Sequence, residues 1–289
     1  MELFTFMKWP LIACLILPWL LVYLGLHIVE REIIFVDLAL AQIAALGSSL
    51  SIVFGFDVHD WQSYAFSVVF TLVGAIIFTL TRTQSHKVPQ EALIGIIYVV
   101  AAAGGILALS KSAGGSEELQ RSMIGELLVV TPREILQTFA LFVVVGMVHF
   151  LFRRKFLAIS FEPEAAVARG ISVRWWDFLF YALFGLVVTS FVHIGGVLLV
   201  FSYLIIPAIC GAYLAKSLLA RLAVGWLIAT LASMASLYVT TRVDLPLGAA
   251  IVCGLGLMLV LTIAWSAFQK KAVGVAGNTT KAVPVDRLN

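Results

Sequence analysis

The sequence predicts an all-α polytopic integral membrane protein of about nine transmembrane helices, with eight as the alternative. Two observations carry this. Hydrophobic residues fill 62% of the 289 positions and charged residues only 12%, against about 25% charged in an ordinary globular chain. Apolar runs of about 20 residues, enough to cross a bilayer as a helix, recur from end to end. A transmembrane barrel would show alternating segments of about 10 residues instead, and these do not stand out.

In order, the spans fall at 10–28, 33–55, 62–80, 91–110, 134–152, 175–194, 197–214, 221–241 and 245–268. The first follows Lys8 but precedes no small-residue cleavage site, so it reads as a retained span. The seventh is short, follows Gly195-Gly196 and contains Pro207. A bent or re-entrant element is therefore the alternative to a full crossing there. Cys14, Cys210 and Cys253 lie in apolar stretches, at spacings that suit neither a disulfide framework nor a metal site, and read as small buried residues. Residues 1–268 form one transmembrane domain. The polar, small-residue tail 269–289 reads as disordered.

Lysine and arginine placement sets the direction of insertion. With the 153–174 connection in the cytoplasm, the N-terminus lies outside and the C-terminus inside. Only Lys8, Lys111, Arg121, Arg133 and Arg242 then face outward, and the other fourteen of the 19 basic residues, including Arg153-Arg154-Lys155, Lys87 and Lys281, face inward. Dropping the seventh span would put the basic tail outside, which counts against eight spans. The outer loops "GFDVHD" (55–60) and "SEELQRSMIGE" (116–126) are acidic or mixed. No Walker-type G-x-x-x-x-G-K-[ST] occurs, so an ATP-driven mechanism needs its ATPase on another chain.

The longest inward connection holds Phe161-Glu162-Pro163-Glu164-Ala165-Ala166-Val167-Ala168-Arg169-Gly170-Ile171. Proline in a first turn loses no helical hydrogen bond, glutamates favour a helix N-terminus, and Gly170 is a natural stop. A compact helix of about two turns is predicted at 161–171. It is either an ordinary amphipathic connector or a rigid knob offered to a cytoplasmic partner.

"FEPEAAVARGISVRWWDFLF" resembles the "fDpe-A-a-a-Gi" stretch of zinc/manganese-type ABC transporter permeases, and the likeness continues along the chain. "QEALIGIIYVVAAAGGILAL" (90–109), "MIGELLVVTPREIL" (123–136), "HIGGVLLVFSYLIIPAICGAYLA" (193–215) and "VDLPLGAAIVCGLGL" (243–257) are similar to further family motifs, in the family's order. The resemblance implies an ABC importer permease fold in a bacterial cytoplasmic (inner) membrane. It implies a homodimer with two ATPase subunits beneath it and an extracytoplasmic solute-binding protein above. ATP and Mg would then bind the partner ATPase, this chain would carry no cofactor and catalyse nothing, and no nucleic acid would be involved. Residues 161–171 would be the ATPase-coupling helix, with Phe161, Glu162, Pro163, Glu164, Ala165, Ala166, Arg169 and Gly170 as its contact set.

Departure from the family pattern comes in the second span. The family's "GDaLaHa" stretch places Asp and His one turn apart along the metal path. Aligning Arg31 and Gly47 with the family's flanking residues puts Leu38 at the Asp position and Gln42 at the His position, with Asp37 one residue early. Asp and His four apart share a helix face and form half of a divalent-metal site. Asp37 and Gln42 are five apart, roughly 140° around the helix. From a start near Ile33, Asp37 lies about 6 Å along the span and Gln42 about 14 Å. Asp37 is thus expected near the cytoplasmic boundary, paired with Arg31 or capping another helix. Gln42 and Ser49 either join helices in a span rich in small residues or line a translocation path at the dimer axis. A bare-metal site at Asp37 is the third reading.

His193 is a path or metal-ligand candidate near the outer mouth, or else an interfacial histidine with a backbone partner. His27 and His149 read as interfacial and His59 as a loop residue, while Asp244 reads as the N-terminal cap of the last span. Cargo is open between a divalent ion (zinc, manganese or iron) and a metal chelate. A gradient-driven carrier or channel is the competing class, but it would want acid/base relays across several spans. An intramembrane enzyme lacks its motifs, H-E-x-x-H and G-x-S-x-G among them.

Overall fold

The computed structural model describes residues 2–57, 60–82, 89–110, 112 and 115–279. Among them the regular elements are helices: α1 (Glu2–Glu30), α2 (Val36–Val53), α3 (Trp61–Thr81), α4 (Gln90–Leu109), α5 (Gly115–Ile124), α6 (Pro132–Leu151), α7 (Arg153–Phe161), α8 (Pro163–Ala168), α9 (Val173–Leu214), α10 (Leu218–Val243) and α11 (Leu247–Thr279), with a 3-10 turn at Leu127–Val129. Eight are long and apolar enough to cross a bilayer: α1 from Met7, α2, α3, α4, α6, α9, α10 and α11 to Gln269. Their limits lie within a few residues of those expected from hydropathy.

The predicted sixth and seventh spans are the two arms of α9. Its 42 residues would measure about 63 Å if straight, roughly twice the hydrocarbon core of a bilayer. Gly196 breaks it, at φ 72°, ψ 163°, a region open essentially to glycine alone. Phe191 and Tyr203 would sit about 18 Å apart along a straight helix, yet their ring centroids are 6.3 Å apart. Both ends of α9 also return to one level. Asp177 near its start meets Arg31, while Arg221, just beyond its end, meets the adjacent Glu30. So α9 is a helical hairpin, and the eight long helices make nine crossings. The bend falls at Gly196 and not at Pro207, which stays within helical backbone. Proline removes one hydrogen bond that packed neighbours tolerate, whereas the turn needs a conformation that proline cannot supply.

A second glycine makes that turn possible. A Cβ on Gly196 would lie 2.4 Å from the Gly125 nitrogen, and the Glu126 N–H donates to the Ile194 carbonyl at 3.0 Å. The segment after α5 therefore seals the hairpin tip. Tyr64 joins Ser190 at this same end (2.8 Å). The opposite, basic end gathers the α1–α2 turn, α7, α8 and the turn before α10. There the Phe35 N–H reaches Glu91 Oε1 at 3.1 Å, tying the starts of α2 and α4.

Helices α1, α2 and α9 form the centre and are the most buried, while α4, α6 and α11 expose most of their length. Small residues allow this packing: a Cβ on Gly25 would stand 1.8 Å from the Leu204 carbonyl oxygen, so α1 and the second arm of α9 touch backbone to backbone. Hydroxyl pairs join further helices, Thr71 with Thr189 at 2.8 Å and Tyr203 with Ser233 at 2.6 Å.

Several local expectations change. Asp244 does not start α11. It ends α10 in the left-handed region (φ 54°, ψ 54°), a conformation that aspartate tolerates better than most residues, and Pro246 lies just ahead of α11. Cys253 is exposed on the apolar surface, unlike buried Cys14 and Cys210. Helix α11 continues past 268 to Thr279, because Gln269, Lys270, Lys271 and Ala272 are good helix formers beyond the apolar run. His59, Lys87, Lys111, Lys281 and residues 280–289 lie outside the described residues.

Candidate functional site

The candidates on α2 are all buried within the chain: Asp37, Gln42 and Ser49 are each under a tenth exposed. Asp37 stands in the first turn, where Oδ1 accepts from the Leu38 N–H at 2.8 Å and Oδ2 is buried with no hydrogen-bond partner among the described residues. Gln42 Nε2 points to Met123 Sδ at 3.9 Å, linking α2 to α5. Ser49 donates to the Ala45 carbonyl of its own helix at 2.8 Å. The three make separate contacts. His193 is exposed at the hairpin tip, its ring 6.2 Å from that of Tyr64. Among the described residues no three of His, Cys, Asp and Glu stand close enough to hold a metal ion.

Asp37 does not pair with Arg31. The Arg31 guanidinium turns instead to Asp177, Nη1 to Oδ1 at 3.1 Å, and stacks on Phe180 at 3.9 Å. Arg82 from the end of α3 takes the other carboxylate oxygen. Two cations on one carboxylate, plus an aromatic face, outcompete a carboxylate already engaged by its own helix. Arg31 Nε also donates to Ser160 Oγ at 2.8 Å. Ser160 then has its proton free for His27 Nδ1, 2.9 Å away.

His27 and His149 are buried within the protein, close to its basic end. Helix α7 folds beneath them: Phe156 stacks on His149 at 4.2 Å, and Phe161 meets His27 edge-on at 5.7 Å. Tyr23 reaches His149 Nδ1 at 3.3 Å. The underside of α7 is thus built into the core, and the segment beyond its C-terminus projects outward.

The compact helix expected over 161–171 is instead two pieces, because the chain breaks at Glu162. Phe161 ends α7, the chain kinks at Glu162 (φ −138°, ψ 58°), and Pro163 opens α8. Gly170 at φ 71° closes it, with the Ile171 N–H bonded to the Ala166 carbonyl at 3.1 Å. Ala166 alone is fully buried. Glu162, Pro163, Glu164, Val167, Ala168, Arg169 and Gly170 are exposed, and Arg169 approaches Glu162 at 3.5 Å. Val167 is an exposed apolar side chain on α8.

Reading the sequence missed the buried centre behind this knob. Asp177 carried the same signal as Asp37, one carboxylate within an apolar run. Ser160 carried none.

Residues 3–266 match the ABC 3 transport family. The manganese import system permease protein ScaB of Streptococcus parasanguinis is 25% identical over 252 residues, covering 87% of this chain and 88% of that one. The manganese transport system membrane protein MntC of Halalkalibacterium halodurans is 28% identical over 170 residues, 59% of this chain and 58% of its own. Among solved structures, PsaBC from Streptococcus pneumoniae in complex with Fab superposes with a TM-score of 0.76 at 22% identity, over 90% of this chain and 92% of that one. An inward-facing putative metal-chelate type ABC transporter gives 0.67 at 18%, over 89% and 85%. At those identities the structures speak for the fold. The family match spans nearly the whole sequence, and this chain belongs to the ABC 3 transport family.

Proposed function

We propose that the chain is the membrane-spanning permease subunit of an importer that brings a divalent metal ion into the cell, driven by separate ATPase subunits. The observation that carries this is the exposed 162–170 knob on a buried base, at the basic end of a nine-crossing bundle of this family. The arginines and lysines at that end support its cytoplasmic placement, with the N-terminus outside and the C-terminus inside a bacterial inner membrane. Two copies would flank the path, two ATPases would grip the knobs from below, and a binding protein would deliver cargo to the hairpin-tip surface. ATP and Mg would act on the partner subunits.

Relatives named for manganese favour a bare divalent ion, with zinc and iron as variants. The family resemblance favours a chelate instead: it sets Leu38 and Gln42 at the family's Asp and His positions, and an amide is a poor ligand for a bare ion. The path candidates remain Asp37, Gln42, Ser49 and His193. Cellular manganese, zinc and iron, measured after deleting this gene, its cognate ATPase gene, or both, test the reading. The same metal should fall equally in all three strains. An uptake defect in the permease strain alone would point to a gradient-driven carrier.

A further inference from the structure

We propose that Arg31 is a positioning residue that carries movement of the ATPase-coupling segment to α2 and α9. This rests on the transporter reading. One guanidinium, 3% exposed, joins three elements that the chain separates widely. Nε holds Ser160, two residues before the kink at Glu162. Nη1 holds Asp177 at the start of α9, where Arg82 brings in α3. Arg31 itself opens the turn that leads into α2 and its buried Asp37 and Gln42.

The physics favours transmission over simple packing. In a close-packed interior a displaced polar partner finds no water to replace it, so a shift of Ser160 must drag the guanidinium or break the bond. The guanidinium is planar and fixed against Phe180 at 3.9 Å, so movement at Nε reaches Nη1 with little slack. The turn that receives it is held in an unfavourable state: Glu32 sits at φ 57°, a region rarely adopted by residues other than glycine. A segment held in that way can release into another conformation when its neighbour moves.

The test uses the complete complex in proteoliposomes, with Mn²⁺ as probe, reading Mn²⁺ moved per ATP hydrolysed. Ser160→Ala removes one hydroxyl and should lower that ratio at least threefold while assembly and hydrolysis persist. Arg31→Ala should lower it about tenfold, and Arg31→Lys should restore part of it, because lysine keeps the charge but not the fork. The double variant Ser160→Ala/Arg31→Ala should match Arg31→Ala alone within twofold. A merely structural role lowers complex yield, hydrolysis and uptake together and leaves the ratio unchanged. An unchanged ratio in Ser160→Ala, whatever Arg31→Ala does, overturns the proposal. A wild-type complex with no ATP-dependent Mn²⁺ uptake overturns the transporter reading instead.

Discussion

Phe191 and Tyr203 lie on opposite arms of α9, and their rings meet at 6.3 Å across the reversal at Gly196. That reversal returns α9 to the side of the bundle from which it started. Single cysteines at Ser172 and Lys216, in a background lacking native cysteines, should therefore react with an impermeant thiol reagent from the same side. A cysteine at His193 should react from the other. Labelling of Ser172→Cys and Lys216→Cys from opposite sides would mean that α9 crosses only once.

Asp177 is the carboxylate shared by Arg31 and Arg82. Removing one partner of a buried ion pair costs about 3–5 kcal/mol, because a charge is left buried and unpaired. Asp177→Ala should lower the thermal midpoint of the detergent-purified protein markedly. Arg82→Ala should lower it less, since that side chain is 27% exposed. Thermal unfolding of both variants makes the comparison.

Gly25 meets the Leu204 backbone where no side chain fits. Overpacking of this kind costs about 1–3 kcal/mol, and the atom in the way belongs to backbone, not to a side chain that can swing aside. Gly25→Ala should reduce the yield of folded protein and its melting temperature. Gly146→Ala, on a site with open space around it, should leave both unchanged.

Crossing positions were legible because length and hydropathy decide them locally. Even the hairpin was announced by Gly195-Gly196, although Pro207 drew attention to the wrong residue. The buried centre was not legible. Ser160 lies 129 residues from Arg31, and Asp177 lies 146 away, so neither pairing leaves a local pattern. Burial of His27 and His149 depends on α7 folding beneath them, which no window of hydropathy reports. For α2, helical periodicity placed Asp37 and Gln42 apart correctly. It did not show that the two would contact different neighbours, Leu38 and Met123.

Gln42 separates the path reading from the helix-joining reading. As a path residue, Gln42→Ala should lower uptake several-fold at unchanged melting temperature and unchanged subunit stoichiometry. As a helix-joining residue, the same change should lower the melting temperature and leave uptake per folded complex intact. Parallel uptake and unfolding measurements on one preparation give the answer.

Val167 stands exposed on α8 between the kink at Glu162 and the stop at Gly170, the segment proposed above to seat the ATPase. The most direct measurement is disulfide cross-linking of Val167→Cys to single cysteines placed across the surface of the cognate ATPase, in native membranes. A strong cross-link confined to one patch of the ATPase, with a yield that changes when ATP is added, is the predicted result. No cross-link at any position, or labelling of Val167→Cys from outside the cell, would contradict the account.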